Sequence, residues 1–172
     1  MKMILVKFYI NTINAKSKRG IKMITKLDFN NDHIVREVLD LQLEAYKVEA
    51  EIIGFDEIPP LKDTINTLRA CGEIFYGYFV EEKLAGIISF KIYDDVLDIH
   101  RVAVHPQFFR MGIANQLIYF IEKCQKGIKK VIVSTGKENK PAVKLYLNND
   151  YKKVEDIKIE EGFYLAAFEK LL

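Results

Sequence analysis

Residues 97–122, LDIHRVAVHPQFFRMGIANQLIYFIE, decide how this chain is read. Leu97 to Val104 alternates like a strand, and His105-Pro106 stops it. Just beyond Gly112 the apolar spacing becomes that of an amphipathic helix, with Ala114, Leu117, Ile118 and Ile121 on one side. A strand, a tight turn and a helix start in that order make an anion site. The first-turn N–H groups have no partner inside the helix, and the helix dipole places about half a positive charge there. Gly112 lets the backbone approach a ligand closely, and Ala114 is the next smallest choice.

Upstream, IFYGYFV (74–80), LAGIISFKIY (84–93) and VLDIHRVAV (96–104) are joined by very short turns, which predicts an antiparallel meander. Before them, Lys22–Lys26 reads as a short strand. Asn30-Asn31-Asp32 starts a helix with Val35, Val38, Leu41 and Tyr46 on its apolar side, ending between Tyr46 and Gly54. Asp56–Pro60 is a rigid loop, and Leu61–Ala70 a second short helix. Downstream, the helix from Gly112 runs to about Lys126 with Gly127 as its stop, and KKVIVST is the next strand. Asn139 caps a helix through Asn148, and Tyr151–Ile159 with Phe163–Lys170 form a hairpin around Glu160-Glu161-Gly162. The order β-α-α-β-β-β-α-β-α-β-β is a mixed α/β fold, an α+β mixed sheet.

The chain of 172 residues is long enough for one core and short for two. Residues 1–21, with the polar run NAKSKRG, read as an N-terminal extension to a domain over residues 22–172. No apolar run reaches the ~18 residues of a membrane span, and MKMILVKFYI carries a Lys and lacks a following cleavage site, which argues against a secretory signal. The two cysteines, Cys71 and Cys124, suggest neither a disulfide framework nor zinc, so a reducing cytoplasm is the expected location. Net charge is only +2, yet Asp28–Asp63 holds ten acidic residues against three basic, and Lys123–Lys153 holds nine lysines against Glu138 and Asp150. That asymmetry suits a protein that holds an anion and a cation together, although two solvated helix faces would give the same pattern. The lysines are not interleaved with exposed aromatics, which argues against nucleic acid.

VAVHPQFFRMGIA (102–114) resembles the acetyl-CoA signature of the GCN5-related N-acetyltransferase (GNAT) superfamily, and NKPAVKLYLNNDY (139–151) resembles its second signature. The element order from about Ile24 to Leu172 is similar as well. The resemblance implies a twisted sheet whose fourth and fifth strands splay, with coenzyme A in the wedge. It implies that backbone at Val102, Ala103 and Val104 holds the pantetheine and the thioester. Backbone N–H groups from Arg110, Met111, Gly112, Ile113, Ala114 and Asn115 would hold the pyrophosphate. Asn139 would contact the coenzyme, and Tyr146 would donate to the leaving sulfur. Acetyl-CoA is then the cosubstrate, and no metal is implied. Two positions depart from the pattern: Phe109 where Gln or Arg is usual, and Asp150 where Gly is usual.

Acetyl transfer needs a neutral amine, so a base or relay must take an ammonium proton. Strand alternation predicts Asp98, His100, Val102 and Val104 on one face, and the resemblance places the base or relay on this strand, at His100 or Asp98. Tyr146 is also spaced as a core aromatic with Ala142, Leu145 and Asn149, and His100 could be an ordinary strand histidine. His105 reads as shaping the turn, His33 as surface, and Cys124 as packing. In the family the first two helices cover the acceptor, so the acidic stretch with Glu44, Glu49 and Glu57 is expected to bind a small cationic amine. The expected activity is direct N-acetyl transfer in a ternary complex. The alternatives are acetylation of a protein N-terminus or lysine, and a non-catalytic acyl-CoA-binding module. No membrane partner is expected, and a homodimer is left open.

Overall fold

The structure is a computed structural model that describes residues 22–172, so the expected extension lies outside the described residues. Among the described residues, seven strands and four α-helices follow in the expected order. They are β1 (Lys22–Lys26), α1 (Asp32–Ile53), α2 (Ile65–Ala70), β2 (Ile74–Val80), β3 (Lys83–Tyr93), β4 (Val96–Val104), α3 (Ile113–Cys124), β5 (Lys130–Gly136), α4 (Lys140–Asn148), β6 (Lys152–Glu160) and β7 (Phe163–Leu171). No described helix is long and apolar enough to cross a membrane.

Local chemistry accounts for most boundaries. Asn31 caps α1 by accepting from His33 N, and Gly54 ends it in a left-handed conformation. The expected helix over Leu61–Ala70 divides: a 3-10 turn covers Pro59–Lys62, and α2 begins only after Thr64. Thr64 and Thr67 form a reciprocal capping box, which fixes a helix start inside the stretch read as continuous. Helix α3 ends at Cys124, because Gln125 is already extended, so Gly127 is not its immediate stop. Cys124 is exposed, a correction to its reading as a packing residue.

The sheet order is β1-β2-β3-β4-β5-β7-β6. All neighbours are antiparallel except β4 and β5, which run parallel. That parallel pairing covers only Val96–Ile99 against Lys130–Val133. Beyond it, β5 stays paired with β7 as far as Gly136, while β4 continues alone on this side to Val104. The two strands therefore part, and the sheet has a wedge in its middle.

Helices cover the two faces separately. On one, Val35, Val38, Leu41, Tyr46 and Ala50 of α1 pack with Phe75, Leu84, Ile87 and Ala103. On the other, Ile113, Leu117, Ile118 and Ile121 of α3, together with Tyr146 of α4, pack on Ile88, Phe90, Leu97, Ile99, Val131 and Phe168. Each fully buried Leu, Ile or Phe contributes about 1.5–3 kcal/mol relative to exposure. The start of α3 is seated by Gly86 of β3, where a Cβ would stand 2.7 Å from Ile113 Cγ2. The missing side chain lets the helix approach the strand closely.

Candidate active site

The geometry begins with an irregularity in β4. Ser89 of β3 pairs with Arg101 and Phe90 with Ile99, so His100 is an extra residue in a β-bulge. A one-residue surplus reverses the alternation beyond it. Leu97 and Ile99 face α3, as do Val102 and Val104, whereas Ala103 packs on the α1 side. Cross-strand partners place Arg101 with Ser89 and Asp98 with Lys91 on that same α1 side. The expected common face of Asp98, His100, Val102 and Val104 is thus corrected: the bulge separates the acidic and imidazole groups from the two valines.

His100 sits between carboxylates, with Nδ1 3.5 Å from Glu73 Oε1 and Nε2 3.4 Å from Asp98 Oδ2. Burial raises the Asp98 carboxyl, and His100 partly opposes that shift. Beside them lies a polar group that the sequence reading missed. Arg101 donates from Nε and Nη2 to the two oxygens of Glu73, at 3.0 and 3.1 Å, and from Nη1 to Asp63 at 2.5 Å and to Gln42 Oε1 at 3.0 Å. Ser89 Oγ donates to Glu73 at 2.6 Å, and Gln42 Nε2 donates to Asp63 at 2.8 Å and to the Pro60 carbonyl at 2.7 Å. Burial pushes Glu73 and Asp63 up, but their hydrogen bonds to Arg101 and its neighbours outweigh it and leave both below the usual carboxylate range.

A second polar group occupies the wedge itself. Tyr146 is 4% exposed, its ring held edge-on by Tyr151 and tilted against Phe168, each with centroids 5.6 Å apart. Tyr46 is buried on the α1 side of the sheet. Burial pushes both phenols well above their ordinary values, and the nearby Glu49 carboxylate pushes both further. Such mutual influence between α1 and α4 across a sheet is possible because β4 and β5 have separated. Glu49 is half-buried, and burial raises its carboxyl while the Asn139 amide favours its ionised form. Neither phenol oxygen makes a hydrogen bond to a described residue. No sealed side-chain nitrogen or oxygen among the described residues lacks a partner, which puts these hydroxyls at the open side of the core.

At the mouth of the wedge, Arg110 (φ 62°) and Gly112 (φ 73°) are both left-handed and turn the chain into α3. A Cβ at Gly112 would meet nothing nearer than Gln116 Nε2 at 3.9 Å, so space lies above this backbone. Asn31, Thr64 and Asn139 cap α1, α2 and α4, but no side chain caps α3. Its first-turn N–H groups, at Ile113, Ala114 and Asn115, are left for an external acceptor. Met111 and Phe109 flank the turn, both 43% exposed. Asp150 adopts φ 66°, the left-handed turn usually made by glycine.

The other expected positions divide. Asn139 is buried and accepts from Ala142 N at 3.1 Å, beside Glu49. Glu44 is exposed and paired with Lys47 at 2.9 Å, and Glu57 is exposed and paired with Lys62. Of the three acidic residues expected at the acceptor, only Glu49 is close to Tyr146. His105 shapes the turn, its Nδ1 accepting from Gln107 N at 3.2 Å. Among the described residues, no group of three or more His, Cys, Asp and Glu is gathered as a metal site requires.

A family model described as the acetyltransferase (GNAT) family matches residues 35–151. A curated relative, the UPF0157 protein YqkA of Bacillus subtilis (strain 168), is 39% identical over 146 residues. That alignment covers 85% of this chain but 43% of the relative, so the chain spans less than half of its length. Among solved structures, the ribosomal-protein-S18-alanine N-acetyltransferase of Escherichia coli aligns with TM-score 0.71 at 13% identity, covering 88% of this chain and 94% of that one. The PaiA N-acetyltransferase of Thermoplasma acidophilum in complex with coenzyme A aligns with TM-score 0.69 at 20% identity, covering 88% and 99%.

Proposed function

The chain belongs to the acetyltransferase (GNAT) family, and on that premise we propose that it transfers acetyl from acetyl-CoA to the primary amine of a small cationic acceptor, directly in a ternary complex. The observation that carries this reading is the parting of β4 from β5 beside the start of α3, the one described α-helix without a side-chain cap. In this reading the pantetheine arm lies along the free backbone edge of Val102, Ala103 and Val104. The pyrophosphate rests on N–H groups between Arg110 and Asn115.

Tyr146 supplies the proton for the departing thiolate. Its raised phenol stays protonated at neutral pH, and its hydrogen bond strengthens as charge builds on sulfur. Glu49 gives the acceptor a negative group at the inner end of the cleft, and Asn139 fixes the end of α4 next to it. The proton of the incoming ammonium has three groups on the α1 side to go to: His100, Asp98 and Glu49.

Calorimetry with acetyl-CoA, followed by thiol release with spermidine, tyramine and a hexapeptide beginning with alanine, tests the proposal. Binding of acetyl-CoA and turnover of spermidine or tyramine are expected. Turnover of the peptide alone would move the substrate class to protein N-termini. Tight binding without thiol release from any of the three would make the chain a non-catalytic acyl-CoA-binding module.

A further inference from the structure

Helix α1 spans the wedge. At one end Gln42 holds Arg101 of β4 at 3.0 Å. At the other, Ile53 Cγ2 lies 3.2 Å from where a Cβ of Gly136, on β5, would stand. Tyr46 and Glu49 lie between these two anchors, about one helical turn apart, and so above the gap. Asn139 and Tyr146 approach the same gap from α4. The carboxylate of Glu49 is therefore surrounded by two neutral phenols and an amide. Arg101, on β4, is already taken up by Glu73 and Asp63.

The β4 groups are differently placed. Both ring nitrogens of His100 face carboxylates, at 3.5 and 3.4 Å, and Asp98 is engaged in that same contact. An imidazole so bracketed has no lone pair directed into the wedge. The bulge also sets this pair on the opposite side of the strand from Val102 and Val104.

We propose that Glu49 takes the proton from the acceptor's ammonium, so that the base of this acetyltransferase stands on helix α1 and not on strand β4. The inference rests on the acetyltransferase reading above. Glu49 receives one ammonium proton, and the freed electron pair on nitrogen forms the bond to the thioester carbonyl carbon. The carbon–sulfur bond breaks with its pair on sulfur, which takes the phenol proton of Tyr146. The second nitrogen proton restores the phenol, and Glu49 returns its proton to water. Burial lifts the Glu49 carboxyl above the ordinary value of about 4.3, toward the range in which a base works best at neutral pH.

The test is the pH dependence of kcat/KM from about pH 5 to about pH 9, with spermidine as acceptor and, independent of any amine, with water in the slow hydrolysis of acetyl-CoA. The wild type is expected to lose activity on the acid side, as Glu49 becomes protonated. E49Q is expected to lower kcat about a hundredfold or more and to abolish that acid limb, with acetyl-CoA affinity unchanged by calorimetry. H100Q is expected to retain the limb, whatever it costs in rate. An acid limb that survives in E49Q, a limb removed by H100Q, or an E49Q effect confined to KM would each overturn the assignment. A wild type that binds no acetyl-CoA would overturn the acetyltransferase reading itself, a distinct result.

Discussion

Two polar clusters meet helix α1, at Gln42 and at Glu49, about two turns apart, and they are built on opposite plans. Around Arg101, the side chains of Gln42, Asp63, Glu73 and Ser89 are joined in one connected hydrogen-bond network. Around Glu49, the phenols of Tyr46 and Tyr146 carry hydroxyls with no partner among the described residues. A closed network of buried charges fixes a conformation and leaves nothing to offer a ligand. An open cluster of groups shifted by burial is how a reaction site is usually composed. The first cluster joins β4 to the segments on either side of α2; the second faces the wedge between β4 and β5.

The largest expected effect breaks the closed cluster. R101M leaves the carboxylates of Glu73 and Asp63 buried without their cation and should cost about 3–5 kcal/mol in urea unfolding at neutral pH. The acid dependence should also invert. In the wild type both carboxyls titrate below their unfolded values, so their stabilisation is present above the usual carboxylate range and is lost as pH falls through the folded values. Without Arg101 the same burial holds them above those values, and stability should recover in acid. Equal loss at all pH values would show that the network's charge pairing is irrelevant.

Next comes Y146F, in the open cluster. It should lower kcat by about ten- to a hundredfold in thiol release, roughly 1.4–2.7 kcal/mol of barrier, while the melting temperature hardly moves, because the hydroxyl has no internal partner to lose. A large drop in melting temperature would place Tyr146 in the structural group instead. E49Q sharpens the contrast from the other side, since it should stabilise the fold at pH 7 by about 0.5–2 kcal/mol. A raised carboxyl contributes stability below its unfolded value and loses it as pH rises through the folded one, so the gain should vanish in acid melts. The smallest effect belongs to S89A, which removes one hydrogen bond to Glu73 and should cost about 1 kcal/mol by the same unfolding measurement.

What the sequence disclosed follows the range of the interactions involved. Asn31 and Asn139 were legible as caps, and the meander as three alternating runs, because those signals are complete within a few residues. Asp150 turns left-handed at the place where the family pattern usually has glycine. The bulge at His100 was not legible, since the surplus exists only relative to the register of β3, and with it the true faces of β4 were hidden. Arg101 draws its partners from Gln42, Asp63 and Glu73, which are 28 to 59 positions away, so no local pattern announces it. Thr64 was a local signal available in advance, and the apolar content around it obscured the helix start.

The uncapped start of α3 has a consequence for how long the molecule lasts. If coenzyme phosphates supply the hydrogen-bond acceptors that a Ser or Asn supplies elsewhere, the cosubstrate completes the fold as well as entering the reaction. At a concentration a hundred times its dissociation constant, such a ligand adds about 2.7 kcal/mol to the stability of the native state. Protease susceptibility would then follow the supply of the coenzyme, acetylated or free, because both forms carry the same phosphates.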